Sequence, residues 1–143
     1  MKIAVVTHYN PQNRFDRSGV VNSIFFQLKR FADVIWINPD PVKGIRKIEA
    51  KVLIKFIYWM HCVGWKVTRL FPLLTGVYAK EIKSKVPKDV DALFFFDSWH
   101  FATLNIDKPI YFRNDSVFHQ MVGYYYQSIP KWWIPVADRL EYS

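Results

Sequence analysis

Three of the four histidines follow short apolar runs: His8 comes after residues 3–6, His100 after 92–96, and His119 seven residues beyond 109–112. Asp97, Arg113, Asn114 and Asp115 crowd behind the same runs. An imidazole changes charge near neutral pH, so it can take up or release a proton where a carboxylate cannot. Loops collect polar residues in any protein, and each of these residues alone carries little meaning. As a group they matter if the three runs are parallel strands, because the clusters then share one rim, where open parallel sheets bind ligands.

A second candidate is the pair Ser18-Gly19, which ends a mostly polar stretch (8–17) and opens a new apolar pattern. A helix starting there presents unpaired amides and a partial positive charge, suited to phosphate or carboxylate. Glycine allows a ligand to approach the backbone closely, and the Ser18 hydroxyl is expected to cap the first turn. Several chemistries find no support. There is no GxGxxG, no P-loop and no GxSxG elbow, and no Cys/His spacing for zinc; no metal is assigned.

The third candidate lies in the segment 44–69. Lys47, Lys51, Lys55, Tyr58, Cys62, Lys66 and Arg69 recur at spacings of three or four, making one basic stripe on an apolar and aromatic helix. Such a stripe is a solvated charged face, an interfacial helix on anionic lipid, or a nucleic-acid contact. Trp59 and Trp65 beside it suit the lipid reading, and no nucleic-acid motif accompanies the charge.

The elements that must position these groups are short. Strands are expected over 2–7, 33–37, 92–96 and 109–112, each apolar and ended by turn residues. Val20, Val21, Ile24, Phe25, Leu28 and Phe31 define the first helix. A long helix over 44–69 should end or kink at Pro72. Further helices are expected over 73–86, 116–126 and from 131 onward. Strand–helix–strand at the start is the unit of a parallel sheet, and right-handed crossovers then put the first strand between the second and third. The expected fold is α/β, a Rossmann-like parallel sheet flanked by helices.

Composition agrees with one globular unit over 1–143. Of 143 residues, 51% are hydrophobic, and Lys and Arg exceed Asp and Glu by 20 to 12, giving a net charge of +8. That excess serves solubility, or an anionic partner such as a membrane surface or a phosphate-bearing ligand. A lone cysteine, Cys62, excludes an internal disulfide and suits a cytoplasmic setting. No apolar stretch reaches the roughly 20 residues needed to cross a bilayer.

With these residues placed, the chain resembles the N-terminal domain of a GT-B glycosyltransferase of the retaining family 4. "MKIAVVT" leads into a small-residue loop and helix, "DVDALFFFDSWH" is similar to the family's central strand, and "DKPIYFRNDSVFHQMVGYYY" to its following segment. "PVADRLEYS" resembles the helix before the next strand. The resemblance implies sugar transfer from a nucleotide-sugar donor to a glycan or lipid-linked acceptor, with no cofactor beyond the donor and no nucleic acid. It implies an acceptor-side domain, with the nucleotide-sugar domain and its Glu-x7-Glu motif missing, and peripheral attachment at the inner face of the membrane.

In that frame Asp115 and His100 are the catalytic candidates. Ser18 and Gly19 face the donor phosphates; the family usually has Gly-Gly there, so the role transfers most directly to Gly19. His8, Asn10, Arg113 and His119 are placed on the acceptor side, with the 8–17 loop as a lid. Lys47, Lys51, Lys55, Lys66 and Arg69 face the membrane. The alternatives are a non-catalytic flavodoxin-like binding or regulatory domain and a structural subunit of the same fold.

Overall fold

Alternating apolar side chains build a sheet that is covered on both faces. The computed structural model describes residues 1–64, 71–113, 118–123 and 129–142, the side chains of 17, 18, 118, 141 and 142 excepted. The strands are β1 (Lys2–Val6), β2 (Asp33–Ile37), β3 (Ala92–Phe95) and β4 (Ile110–Phe112). They pair in parallel in the order β2-β1-β3-β4. Val5 of β1 lies opposite Trp36 and Phe94, and Leu93 opposite Ile110. The first strand lies between the second and third, as expected.

Period two then sorts the core. Ala4, Val6, Ile37, Leu93 and Phe95 pack with Ile82 of helix α3 (Pro72–Lys85). Val5, Val34 and Phe96 pack on the other face with Val21 and Phe25 of helix α1 (Val20–Leu28). A third cluster joins α3 to helices α2 (Gly44–Cys62) and α5 (Trp133–Tyr142), with Ala50, Ile57, Met60, Leu74, Tyr78 and Trp133 at its centre. The short helix α4 (Phe118–Met121) precedes α5.

Four expectations need correction. Helix α1 is capped by Gly19, with no side-chain cap hydrogen bond, and Ser18 falls inside a 3₁₀ turn, Asp16–Gly19. Phe31 lies beyond the helix and is 80% exposed, because the chain turns at Lys29 toward β2. Helix α2 ends at Cys62: the Val63 and Gly64 amides turn back to the Trp59 and His61 carbonyls, both at 3.1 Å. Gly64 takes φ 90, the left-handed conformation that closes helices. Pro72 starts α3, at a position where its missing N–H has no intrahelical partner to lose.

Candidate functional site

The parallel order 2-1-3-4 reverses direction between β1 and β3, and the chain places its chemistry at the carboxyl ends of these two strands. After Val6, Thr7 is fully buried and donates its backbone N–H to Ile37 O at 3.1 Å, while its own carbonyl accepts from Trp36 Nε1 at 2.8 Å. That fixes the departure of the next residue, His8. After β3, Asp97 leads into a 3₁₀ turn, Ser98–His100. The tight turn brings the side chains at Asp97 and His100 to the same side.

The three side chains converge. Asp97 Oδ2 stands 4.0 Å from His8 Nδ1 and 3.9 Å from His100 Nδ1. One ligating atom from each of His8, Asp97 and His100 lies within 4.8 Å of the others. The two imidazole centroids are 5.7 Å apart. His100 is fully buried against Trp99, with centroids 3.6 Å apart, and against Tyr78 at 5.5 Å. The His8 and Asp97 side chains keep 27% and 17% exposure, so the group opens on that side. His8 Nδ1 is shielded and makes no hydrogen bond among the described residues.

The loop between β1 and α1 is wound on itself by its polar side chains. Asn10 Oδ1 accepts from the Gln12 amide at 3.0 Å, and Asp16 accepts from the Asn10 amide at 3.1 Å and from Asn13 Nδ2 at 2.9 Å. Asn22 of α1 ties the loop down, donating to Pro11 O at 2.8 Å. The Asn10 side chain is thus engaged in folding the loop. Gly19 ends it at φ 77, and a Cβ there would stand 3.0 Å from the Arg14 carbonyl. Glycine is required by the turn itself, whatever approaches the helix amides.

Of the other expected residues, Arg113 is exposed and its backbone N–H donates to Phe95 O at 3.0 Å, extending the β3–β4 ladder. His119, on α4, lies 3.0 Å from Asp138 Oδ2 of α5. Asp115, Asn114, Trp65, Lys66 and Arg69 lie outside the described residues, as does the Ser18 side chain. Asp97 stood among the rim residues in the sequence without a role, and the structure makes it the centre of the cluster.

Helix α2 divides into three faces. Arg46, Ala50, Leu53, Ile57 and Met60 point inward, at alternating spacings of four and three. Lys47, Lys51, Lys55, Tyr58 and Cys62 form the exposed basic stripe, as the sequence suggests. Between them runs a stripe that the basic pattern concealed: Ile45, Ile48, Val52, Phe56, Trp59 and, just past the helix end, Val63 are all exposed, Ile45 at 74% and Trp59 at 55%. Phe56 and Trp59 stack with centroids 5.8 Å apart. Among the described residues no helix is long and apolar enough to cross a membrane.

Comparison with protein-family models, curated proteins and solved structures yields no match. The chain is defined by its α/β fold, with a four-stranded all-parallel sheet flanked by helices in a Rossmann-like arrangement.

Proposed function

We propose that this chain is the acceptor-side domain of a retaining glycosyltransferase that works against an anionic membrane surface. One observation carries the reading: His8, Asp97 and His100 converge at the switch point of the sheet, and the helix that follows β1 is opened by a positive-φ glycine. Sugar transfer needs groups that bind hydroxyls and handle protons on one side of a cleft. The rim offers the His8 imidazole and the Asp97 carboxylate to the acceptor, with the buried His100 imidazole behind them. The amides behind Gly19 are left to face the donor diphosphate. His100 and Asp115 are the residues we assign to the chemistry. His8, Asn10, Arg113 and His119 receive the acceptor, and Ser18 and Gly19 the phosphates.

The membrane part of the reading draws on α2. An exposed apolar stripe beside lysines is what an interfacial helix offers: side chains that enter the headgroup region and cations that hold it there. Each lysine near an anionic surface contributes about 1 kcal/mol. Replacing Lys47, Lys51 and Lys55 by glutamate should therefore weaken binding to phosphatidylglycerol vesicles by more than about a hundredfold. Binding that survives the triple change, or ignores salt, refutes this part.

The transferase reading is tested by saturation-transfer NMR with saccharide and polyprenyl-phosphate sugar acceptors. Acceptors should bind and His8→Ala should weaken them, while uridine and guanosine diphosphate sugars bind weakly to this chain alone. Absence of saccharide binding, or micromolar binding of nucleotide sugars, would overturn the assignment of sides. The strand order 2-1-3-4 also matches the start of flavodoxin-like sheets. A non-catalytic binding domain is the second reading, favoured if the chain takes a phosphorylated small molecule but no saccharide.

A further inference from the structure

The geometry points to a divalent transition-metal site formed by His8, Asp97 and His100. Two imidazoles and one carboxylate are a ligand set that first-row metals share, and nitrogen donors favour zinc or cobalt over magnesium or calcium. The distances support it. A carboxylate that merely oriented the imidazoles would sit at hydrogen-bond distance, about 2.7–3.2 Å. Asp97 Oδ2 stands 4.0 and 3.9 Å from the two Nδ1 atoms, too far for that. An ion with bonds of about 2.0–2.2 Å holds its ligands about 3–3.5 Å apart in a tetrahedron. The three ligating atoms, within 4.8 Å of one another, would close by up to about 1–2 Å onto one ion, a movement open to the partly exposed His8 and Asp97 side chains.

Burial is graded in the way such a site needs. His100 is fully buried and held by Trp99 and Tyr78, which fixes its ring before any ion arrives. His8 Nδ1 is shielded and makes no hydrogen bond among the described residues, so in the tautomer protonated at Nε2 no protein donor competes with a metal for it. Exposure of His8 and Asp97 supplies an entry path and a position for a water or a ligand oxygen. Three protein ligands with one open position is the pattern of reactive zinc sites, whereas structural sites are closed by four. The ligands' formal charge of −1, with neutral imidazoles, would become +1 with the ion, at the rim where anionic groups are expected to bind.

This inference stands on the three side chains, independently of sugar transfer, and a chain that binds no saccharide is still expected to bind the ion. The probe is cobalt(II), added to the metal-free chain and followed by its visible absorption and by calorimetry, with zinc as competitor. The expected result is saturable one-to-one binding, micromolar or tighter, displaced by zinc and unaffected by millimolar magnesium. His8→Ala and Asp97→Ala should each weaken it at least about tenfold. His61→Ala, which removes a histidine of α2 outside the cluster, should leave it unchanged. His100→Ala empties a buried position, so the two rim variants, checked for native circular dichroism, carry the test. Absence of saturable cobalt binding, or binding that both rim variants retain, overturns the site. So does binding that is lost in His61→Ala instead.

Discussion

Glu81 offers a test of how the exposed helix is held, and its outcome has a defined pH dependence. Its carboxylate joins α3 to the first turn of α2: Oε2 accepts from Arg46 Nη1 at 3.0 Å and Oε1 from Lys85 Nζ at 2.9 Å. Lys85 spends its other two donors on the Asn38 and Asp40 carbonyls, both at 2.8 Å, so the same ammonium also pins the segment between β2 and α2. The Glu81 side chain is 12% exposed, while Arg46 and Lys85 keep 41% and 28%. Burial pushes its pKa up, but the hydrogen bonds from Lys85 and Arg46, with their charges, outweigh that and hold it below the ordinary value.

Glu81→Gln keeps the shape and removes the charge. Because both partners are partly solvated, each contact contributes less than a buried charge-assisted bond, about 0.5–1 kcal/mol. The loss should be about 1–2 kcal/mol at pH 7, or about 3–7 °C in the midpoint of thermal unfolding for a chain of this size. The sign of the pH effect follows from linkage. A carboxyl whose folded pKa is depressed contributes stability that is complete above its unfolded value, about 4.3, and is lost as pH falls through the folded value. The wild type and Glu81→Gln should therefore differ fully above about pH 5 and converge in acid. Urea unfolding monitored by tryptophan fluorescence at pH 7 and at the lowest pH where both still fold would measure this. An equal difference at both pH values would mean that packing, and not charge, accounts for it.

Three further outcomes are expected. Gly19→Ala must hold an L-residue at φ 77 with its Cβ 3.0 Å from the Arg14 carbonyl, and should destabilise the chain by about 1–2 kcal/mol in urea titration; a neutral effect would mean that the turn relaxes freely. Trp133 is 1% exposed and stacks on Phe71 with centroids 5.7 Å apart. Trp133→Ala should cost about 3–5 kcal/mol and loosen α5, seen as faster amide exchange there, whereas Trp132→Ala, at 51% exposure, should cost far less. Trp59→Ser should leave unfolding unchanged to within about 0.5 kcal/mol while weakening vesicle binding; a large loss of stability would place Trp59 in a core contact.

Most of the sheet was legible because β1 and β3 are buried on both faces and read as unbroken apolar runs, and the flanking β2 and β4 are short apolar runs ended by turn residues. Handedness alone does not give the strand order, since nothing local in residues 33–37 or 92–95 says which side of β1 they join; the order 2-1-3 also needs α1 and α3 on opposite faces of the sheet, where the structure has them. Helix boundaries were less legible, for a common reason. Gly19 and Gly64 act through a positive φ, which a sequence marks only as glycine, and Ser18 was the more familiar cap. Pro72 was read as a stop for the helix before it when it is the first residue of the one after it. Phe31 continued the apolar period of α1 past the point where the backbone had left the helix, so the pattern overran its own element.

The faces of α2 and the rim cluster were illegible for different physical reasons. On α2 the lysine stripe was visible because charge is scarce on an apolar helix. Its period could not say which of the remaining apolar residues met the core. Only the partners decide that: Ala50, Ile57 and Met60 join the cluster with α3 and α5, and Ile45, Val52 and Trp59, on the next face of the helix, stay exposed. At the rim the failure is one of distance. A zinc finger announces itself because a single turn or hairpin supplies neighbouring ligands, so their spacing is fixed by local geometry. Asp97 and His100 satisfy that condition across one 3₁₀ turn. His8 reaches them only because β1 and β3 are adjacent parallel strands, with Val6 opposite Phe95, which end at the same level. No motif of fixed spacing could contain all three, since the length of chain between His8 and Asp97 is free to vary with every helix between the strands. What the sequence does constrain is the place: polar, ligating residue types immediately after each of the two strands that flank the switch point. Adjacent parallel strands turn that placement into proximity, and so the cluster is a consequence of topology before it is one of sequence.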